Sequence, residues 1–220
     1  MMPTYQSEQE QLESLQKWWK ENSRSVIFGV LLGVAGVIGW SSWQAYMVRQ
    51  AEKTSFSYQQ LVNSVGNGAY EEAIKQGESL ISEFPDTGYA ALASLVMARV
   101  AFEQNNIEKA KVHLRWVLDQ RDFSPVQSVA RLRLARLLAS EKKWVEAAAL
   151  LDGDTGELLH LYEEMRGDIF LAQGNMTEAR SAFKRSLTGA GLADRRFQGR
   201  VRMKLTDLGS MLELKGASDR

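Results

Sequence analysis

The amino-acid sequence predicts an all-α chain: a single N-terminal transmembrane helix, an α-solenoid of helix pairs, and a C-terminal capping helix. Three observations carry that reading. Twenty-four successive residues between Arg24 and Arg49 hold no charge. Strand-like alternation of polar and apolar residues is absent beyond them, and the whole chain has only three prolines, so helical periodicity is the signal that remains. Four later segments share one register, spaced by 37, 37 and 32 residues.

Composition narrows the function before any motif is read. The chain has 220 residues, leaving about 170 after the apolar run, enough for one well-packed domain. Lys and Arg number 27 against 27 Asp and Glu, so no overall field attracts nucleic acid. Cysteine is absent, which excludes disulfides, thiol catalysis, thiolate zinc sites and a lipid-modified N-terminal cysteine.

The first element is a stub over residues 1–24. Leu12, Leu15 and Trp19 are spaced three and four apart, which predicts a helix from Glu8 to Asn22 with an apolar stripe able to lie against membrane lipid. Residues 25–48 form the span. At about 1.5 Å per residue, Val26 to Trp43 alone approaches the ~30 Å thickness of a hydrocarbon core. Trp18 and Trp19 mark one end, and Trp40, Trp43 and Tyr46 the other, where amphipathic rings anchor at headgroup depth. A secretory leader has a short basic start and a small-residue cleavage site. Here a long stub with four glutamates precedes the run and bulky rings follow it, so an uncleaved signal-anchor is expected, its short N-terminus cytoplasmic and the remainder exported.

Four glycines interrupt the span. Gly29, Gly33, Gly36 and Trp40 fall on one narrow helical face, and a small residue every fourth position lets helix backbones approach closely. That face is expected to pack on another membrane helix, unless it reflects only the frequency of glycine in membrane helices.

Residues 49–192 hold the repeats. The aligned alanines are Ala73, Ala110, Ala147 and Ala179; twelve residues before each stand Leu61, Ala98, Ala135 and Gly167, and four residues after the last three come Leu114, Leu151 and Phe183. Small residues at the crossing of two antiparallel helices, with a large apolar residue one turn on, make the tetratricopeptide pattern of about 34 residues. Pro85 is expected to end the second helix of the first pair, and Pro125 to do the same for the second. The first unit reads as degenerate, with Gly77 where a large residue is expected. Phe197, Val201, Leu205 and Leu208 then predict an amphipathic capping helix within residues 193–220, as solenoids require, with Arg195, Arg196, Arg200 and Arg202 on its solvated face.

The first helix of each tetratricopeptide pair lines a concave surface. Counting back from the aligned alanines places Leu92, Leu95, Arg99 and Phe102 there in the second unit, and Val129, Leu132, Arg136 and Ala139 in the third. The fourth contributes Leu161, Glu164, Asp168 and Leu171. An apolar trough with a few fixed charges suits extended or helical polypeptide segments; alternatively, the arginines lie over their own helices or pair with Asp168. No catalytic motif, metal-ligand set or cofactor fingerprint accompanies it. His160, Glu163 and Glu164 have ligand-like spacing, but a helix surface carries such trios by chance. A binding protein without enzymatic activity or cofactor is expected.

The segment "YQSEQEQLESLQKWWKENSRSVIFGVLLGVAGVIGWSSWQAY", with "SYQQLV" and "YAALASLVMARVAF" after it, resembles the YfgM family of proteobacterial inner-membrane proteins over essentially the full length. The resemblance implies a single-pass protein at the SecYEG translocon, associated with the periplasmic chaperone PpiD and helping to pass exported polypeptides onward. A regulatory or envelope-assembly scaffold, holding a signalling or wall-building partner, is the competing expectation.

Overall fold

The computed structural model describes residues 5–120, 123–152, 155–190 and 195–218, with side chains in those ranges other than 5–9, 156 and 211–218. Among them the regular structure is helical. The chain divides into two compact units, Met1–Lys53 and Thr54–Arg220.

Helix α1 runs from Tyr5 to Gly66 without interruption. The helix expected for Glu8 to Asn22 is therefore continuous with the apolar run. Within the first unit Leu12, Leu15, Phe28, Val37 and Trp43 are all exposed. This is the helix long and apolar enough to cross a membrane among the described residues, with a mean hydropathy of 1.8 over its most apolar stretch.

In the second unit, the end of α1 pairs with α2 (Tyr70–Glu83). Helix α3 (Gly88–Glu103) pairs with α4 (Ile107–Asp119), α5 (Ser124–Ser140) with α6 (Trp144–Leu151), and α7 (Leu159–Ala172) with α8 (Met176–Gly189); α9 (Arg195–Ser218) follows. One 3₁₀ turn, Gly156–Leu158, leads into α7.

Close packing at the crossings explains the repeated small residues. Leu61, Ala98, Ala135, Ala73, Ala110, Ala147 and Ala179 are buried, as are Leu114, Leu151 and Phe183. Gly167 is the tightest case. A Cβ added there would collide with the ring of Phe183, so glycine on α7 is what lets the aromatic of α8 fill the crossing. Gly77 obeys the same rule. The first unit, expected to be degenerate there, is filled from its neighbour: the thioether of Met97 on α3 occupies the space beside Gly77. The large residue comes from the next pair, and the unit is complementary rather than defective.

The turns repeat as faithfully as the crossings. Gly68, Asn105, Lys142 and Gly174 have positive φ, at intervals of 37 (68 to 105), 37 (105 to 142) and 32 (142 to 174) residues. At each, two hydrogen bonds close the preceding helix. In the second pair the Asn105 N–H donates to the Phe102 carbonyl at 2.9 Å and the Asn106 N–H to the Ala101 carbonyl at 2.8 Å. This is the left-handed C-terminal cap that satisfies the last carbonyls of a helix. Asn tolerates that conformation well; Lys142 adopts it at a steric cost.

Polar contacts tie the helices together both between pairs and within them. Tyr162 on α7 donates its hydroxyl to the Ser128 carbonyl on α5 at 2.8 Å. Ser94 on α3 donates to the His113 carbonyl at 2.9 Å, and Ser186 on α8 to the His160 carbonyl at 2.7 Å. Lys111, itself buried, bridges Glu108 and Glu141 at 2.6 Å each. Pro85 lies just past α2, as expected. Pro125 does not end α4: that helix stops at Asp119, and Pro125 stands in the first turn of α5, where its missing N–H has no partner to lose.

Gly167→Ala is expected to lower stability by about 1–3 kcal/mol, the cost of overpacking a filled crossing. Gly77→Ala should cost less, because a methionine chain can rotate aside and a buried ring cannot. Urea melts of the two variants check this, and equal losses contradict it.

Candidate partner-binding groove

Helices α3 and α5 are the first members of their pairs, and their sequences bring Arg99 and Arg136 to equivalent positions. A groove of about 250 Å³ opens between them, lined by Ala98, Arg99, Phe102, Leu114, Arg133, Arg136 and Leu137. Phe102 leaves 53% of its surface exposed on the groove wall. The other positions counted onto this face have different fates. Leu95, Leu132 and Ala139 lie in the largest core cluster, and Val129 packs against it. Leu92 is half-buried. Burial of one side of each first helix against its own partner leaves only the outer positions accessible.

The three arginines are unequally satisfied. Arg99 donates to Glu103 on its own helix at 2.7 Å, and the Tyr70 hydroxyl donates to the same carboxylate at 3.1 Å. Those two hydrogen bonds, with the Arg99 charge, hold Glu103 below the ordinary glutamate pKa. Arg133 donates to the Leu95 carbonyl of α3 at 3.3 Å. Burial, then the like charges of Arg136 and Arg99, push its pKa down. Arg136 has no hydrogen bond or ion pair among the described residues; its charge reaches Asp168 through space. The sequence count missed Arg133, which stands one turn before Arg136 on α5 and outside the four positions considered.

The fourth unit is closed by the cap. Glu164 is buried, and Arg200 of α9 grips it with two bonds, Nε to Oε1 at 2.8 Å and Nη2 to Oε2 at 2.9 Å. Lys204 donates to the same carboxylate at 3.0 Å and to both oxygens of Asp168 at 2.6 and 2.7 Å. Leu161 and Leu171 pack into the cluster of Phe183, Phe197, Val201 and Leu208. Arg200 is thus not merely a solvated residue of the cap; it also lies over the Phe197 ring, 5.1 Å from its centre. Arg195, Arg196 and Arg202 are exposed.

No ligand trio forms around His160. Its ring meets Phe197 edge-on at 4.9 Å, Glu163 pairs with Arg166 at 2.9 Å and Arg185 at 2.8 Å, and Glu164 faces the cap. On α1, Cβ atoms added at Gly29, Gly33 and Gly36 would meet nothing within 4 Å, and Trp40 is 74% exposed.

The model of the tetratricopeptide repeat-like domain matches residues 16–210. The chain is 33% identical over 184 residues to an ancillary SecYEG translocon subunit of Escherichia coli strain K12, covering 83% of this chain and 88% of that protein. It is 29% identical over 203 residues to an ancillary SecYEG translocon subunit of Haemophilus influenzae, covering 91% and 97%. The solved structure of Pseudomonas aeruginosa PilF superposes with a TM-score of 0.58 at 20% identity, covering 74% of this chain and 70% of that one. That likeness concerns the fold.

The cap should respond to acid through Glu164. Burial alone would raise its pKa, but the hydrogen bonds from Arg200 and Lys204 outweigh burial and lower it. Its stabilising contribution is therefore complete above the ordinary glutamate pKa of about 4.3 and is lost as pH falls through the folded value. Asp168 has the opposite sign, since burial raises its pKa despite Lys204, and protonation relieves it as pH falls. Glu164→Gln is expected to remove about 1–3 kcal/mol at neutral pH and to flatten the loss of stability below the glutamate range. Urea midpoints across that range check it; an unchanged acid slope contradicts it.

Proposed function

We propose a scaffolding role for this chain, which belongs to the YfgM family of ancillary SecYEG translocon subunits. In this reading residues 25–48 anchor it in the bacterial inner membrane, residues 1–24 stay in the cytoplasm, and the repeats of residues 49–192 with the cap of residues 193–220 stand in the periplasm. The repeats receive exported polypeptides leaving the translocon and pass them to a periplasmic chaperone such as PpiD. The match to translocon subunits over nearly the whole chain carries the reading.

Three features support it physically. The apolar run is long enough to cross a membrane. A face of small residues on that run, Gly29, Gly33 and Gly36, suits close approach of another membrane helix. A groove with an exposed aromatic and several cations offers a polypeptide both apolar burial and hydrogen bonds. Binding by such a surface needs no reactive group, which agrees with a scaffold rather than an enzyme. Membrane lipid surrounds the rest of the span, and nucleic acid has no place in this reading.

Photocrosslinking in intact membranes tests it. A crosslinker at position 40, on the glycine face, is expected to capture a SecYEG subunit with several-fold higher yield than one at position 38 on the opposite face. Equal yields would remove the glycine face from the reading. No SecYEG adduct from either position would overturn the translocon association itself.

A further inference from the structure

The groove between α3 and α5 has more positive charge than its own carboxylates neutralise. Arg99, Arg133 and Arg136 all line it. Glu103 is paired with Arg99 and already accepts a bond from Tyr70. Arg133 uses one donor on the Leu95 carbonyl, while a guanidinium carries five. Asp168, whose charge reaches Arg136, is taken at both oxygens by Lys204. The cap has therefore removed from the groove the carboxylate that would otherwise balance it. Holding Arg133 ionised is made costly by burial and by its two like-charged neighbours, and an incoming anion would relieve that cost.

Between the cations the wall is apolar. Ala98, Leu114 and Leu137 form it beside the half-exposed ring of Phe102. A free inorganic anion would leave this surface wet, and an uncharged apolar segment would leave Arg136 unpaired and the further donors of Arg133 unused. Only an occupant with both characters satisfies the site.

We propose that this groove takes an acidic amphipathic polypeptide segment, with one apolar side chain against Phe102 and Leu137 and flanking Asp or Glu side chains on Arg133 and Arg136. Guanidinium–carboxylate pairs are planar and can be two-pronged, so they fix the register of the bound segment as well as holding it. The inference rests on the reading of this groove as the receiving surface, and it names the class of segment received. Segments rich in lysine are disfavoured, because they set like charges together. The groove is thereby selective by charge and permissive in sequence.

The test uses the full-length protein in detergent and fluorescent twelve-residue peptides alternating Leu with Glu, with Gln, or with Lys. Anisotropy titration is expected to give the Glu peptide at least tenfold higher affinity than the Gln peptide, with the Lys peptide weaker still. The double variant Arg133→Gln with Arg136→Gln should remove that tenfold preference. Phe102→Ala should weaken the Glu and Gln peptides alike. Circular dichroism of each variant verifies the fold. Equal binding of the Glu and Gln peptides, with both weakened by Phe102→Ala, would overturn the acidic specificity and leave the groove reading intact. Binding untouched by the arginine and Phe102 substitutions, or binding confined to anionic lipid vesicles, would overturn both.

Discussion

Two helices can cross closely only where one of them gives up its side chain, and the repeat domain is organised around that constraint. At Gly167 the missing Cβ makes room for the Phe183 ring, and at Gly77 for the Met97 thioether. Ala98, Ala135, Ala110 and Ala147 do the same with a methyl group at the crossings between. Close crossing in turn places Tyr162 within hydrogen-bonding distance of the Ser128 carbonyl and lets Lys111 span to Glu141. The first helices of adjacent pairs then stand side by side, and the groove is the space left between two of them.

Charge gives the end and the middle of that inner surface different roles. Toward the C-terminus, Glu164 and Asp168 are held by Arg200 and Lys204, so α9 both covers the last apolar face and neutralises it. A solenoid without such an end would expose the faces of Phe183 and Leu171. In the middle, Arg133 and Arg136 are left without carboxylates of their own. The difference between a closed end and an open middle arises from which charges stand on α5 and which on α7, within a backbone that repeats almost unchanged.

Much of this was legible in the sequence because it repeats at short range. The aligned alanines, the small residues Ala98, Ala135 and Gly167 twelve positions before three of them, and the capping stripe through Phe197 and Val201 all hold. The turn positions were half visible: Gly68 and Gly174 signal a left-handed residue, whereas Asn105 and Lys142 take it because the closing hydrogen bonds recur at their register. Pairings across longer separations were hidden. Met97 lies twenty residues beyond Gly77, and Arg200 and Lys204 lie 36 and 40 residues beyond Glu164, so no local pattern announces either. The groove count found Arg99, Phe102 and Arg136 but took Leu95 and Leu132 as lining. Both are core, because a helix inside a solenoid is packed on more than one side, and periodicity alone does not divide buried positions from open ones.

If the repeats receive exported polypeptides, these occupy the inner groove and not the outer surface. Photocrosslinking in living cells, comparing position 102 on the groove wall with position 145 on the exposed face of α6, addresses it most directly. A ladder of adducts with newly exported proteins is expected from position 102 and little from position 145. Equal labelling from both, or adducts from position 145 alone in a correctly folded protein, would contradict it.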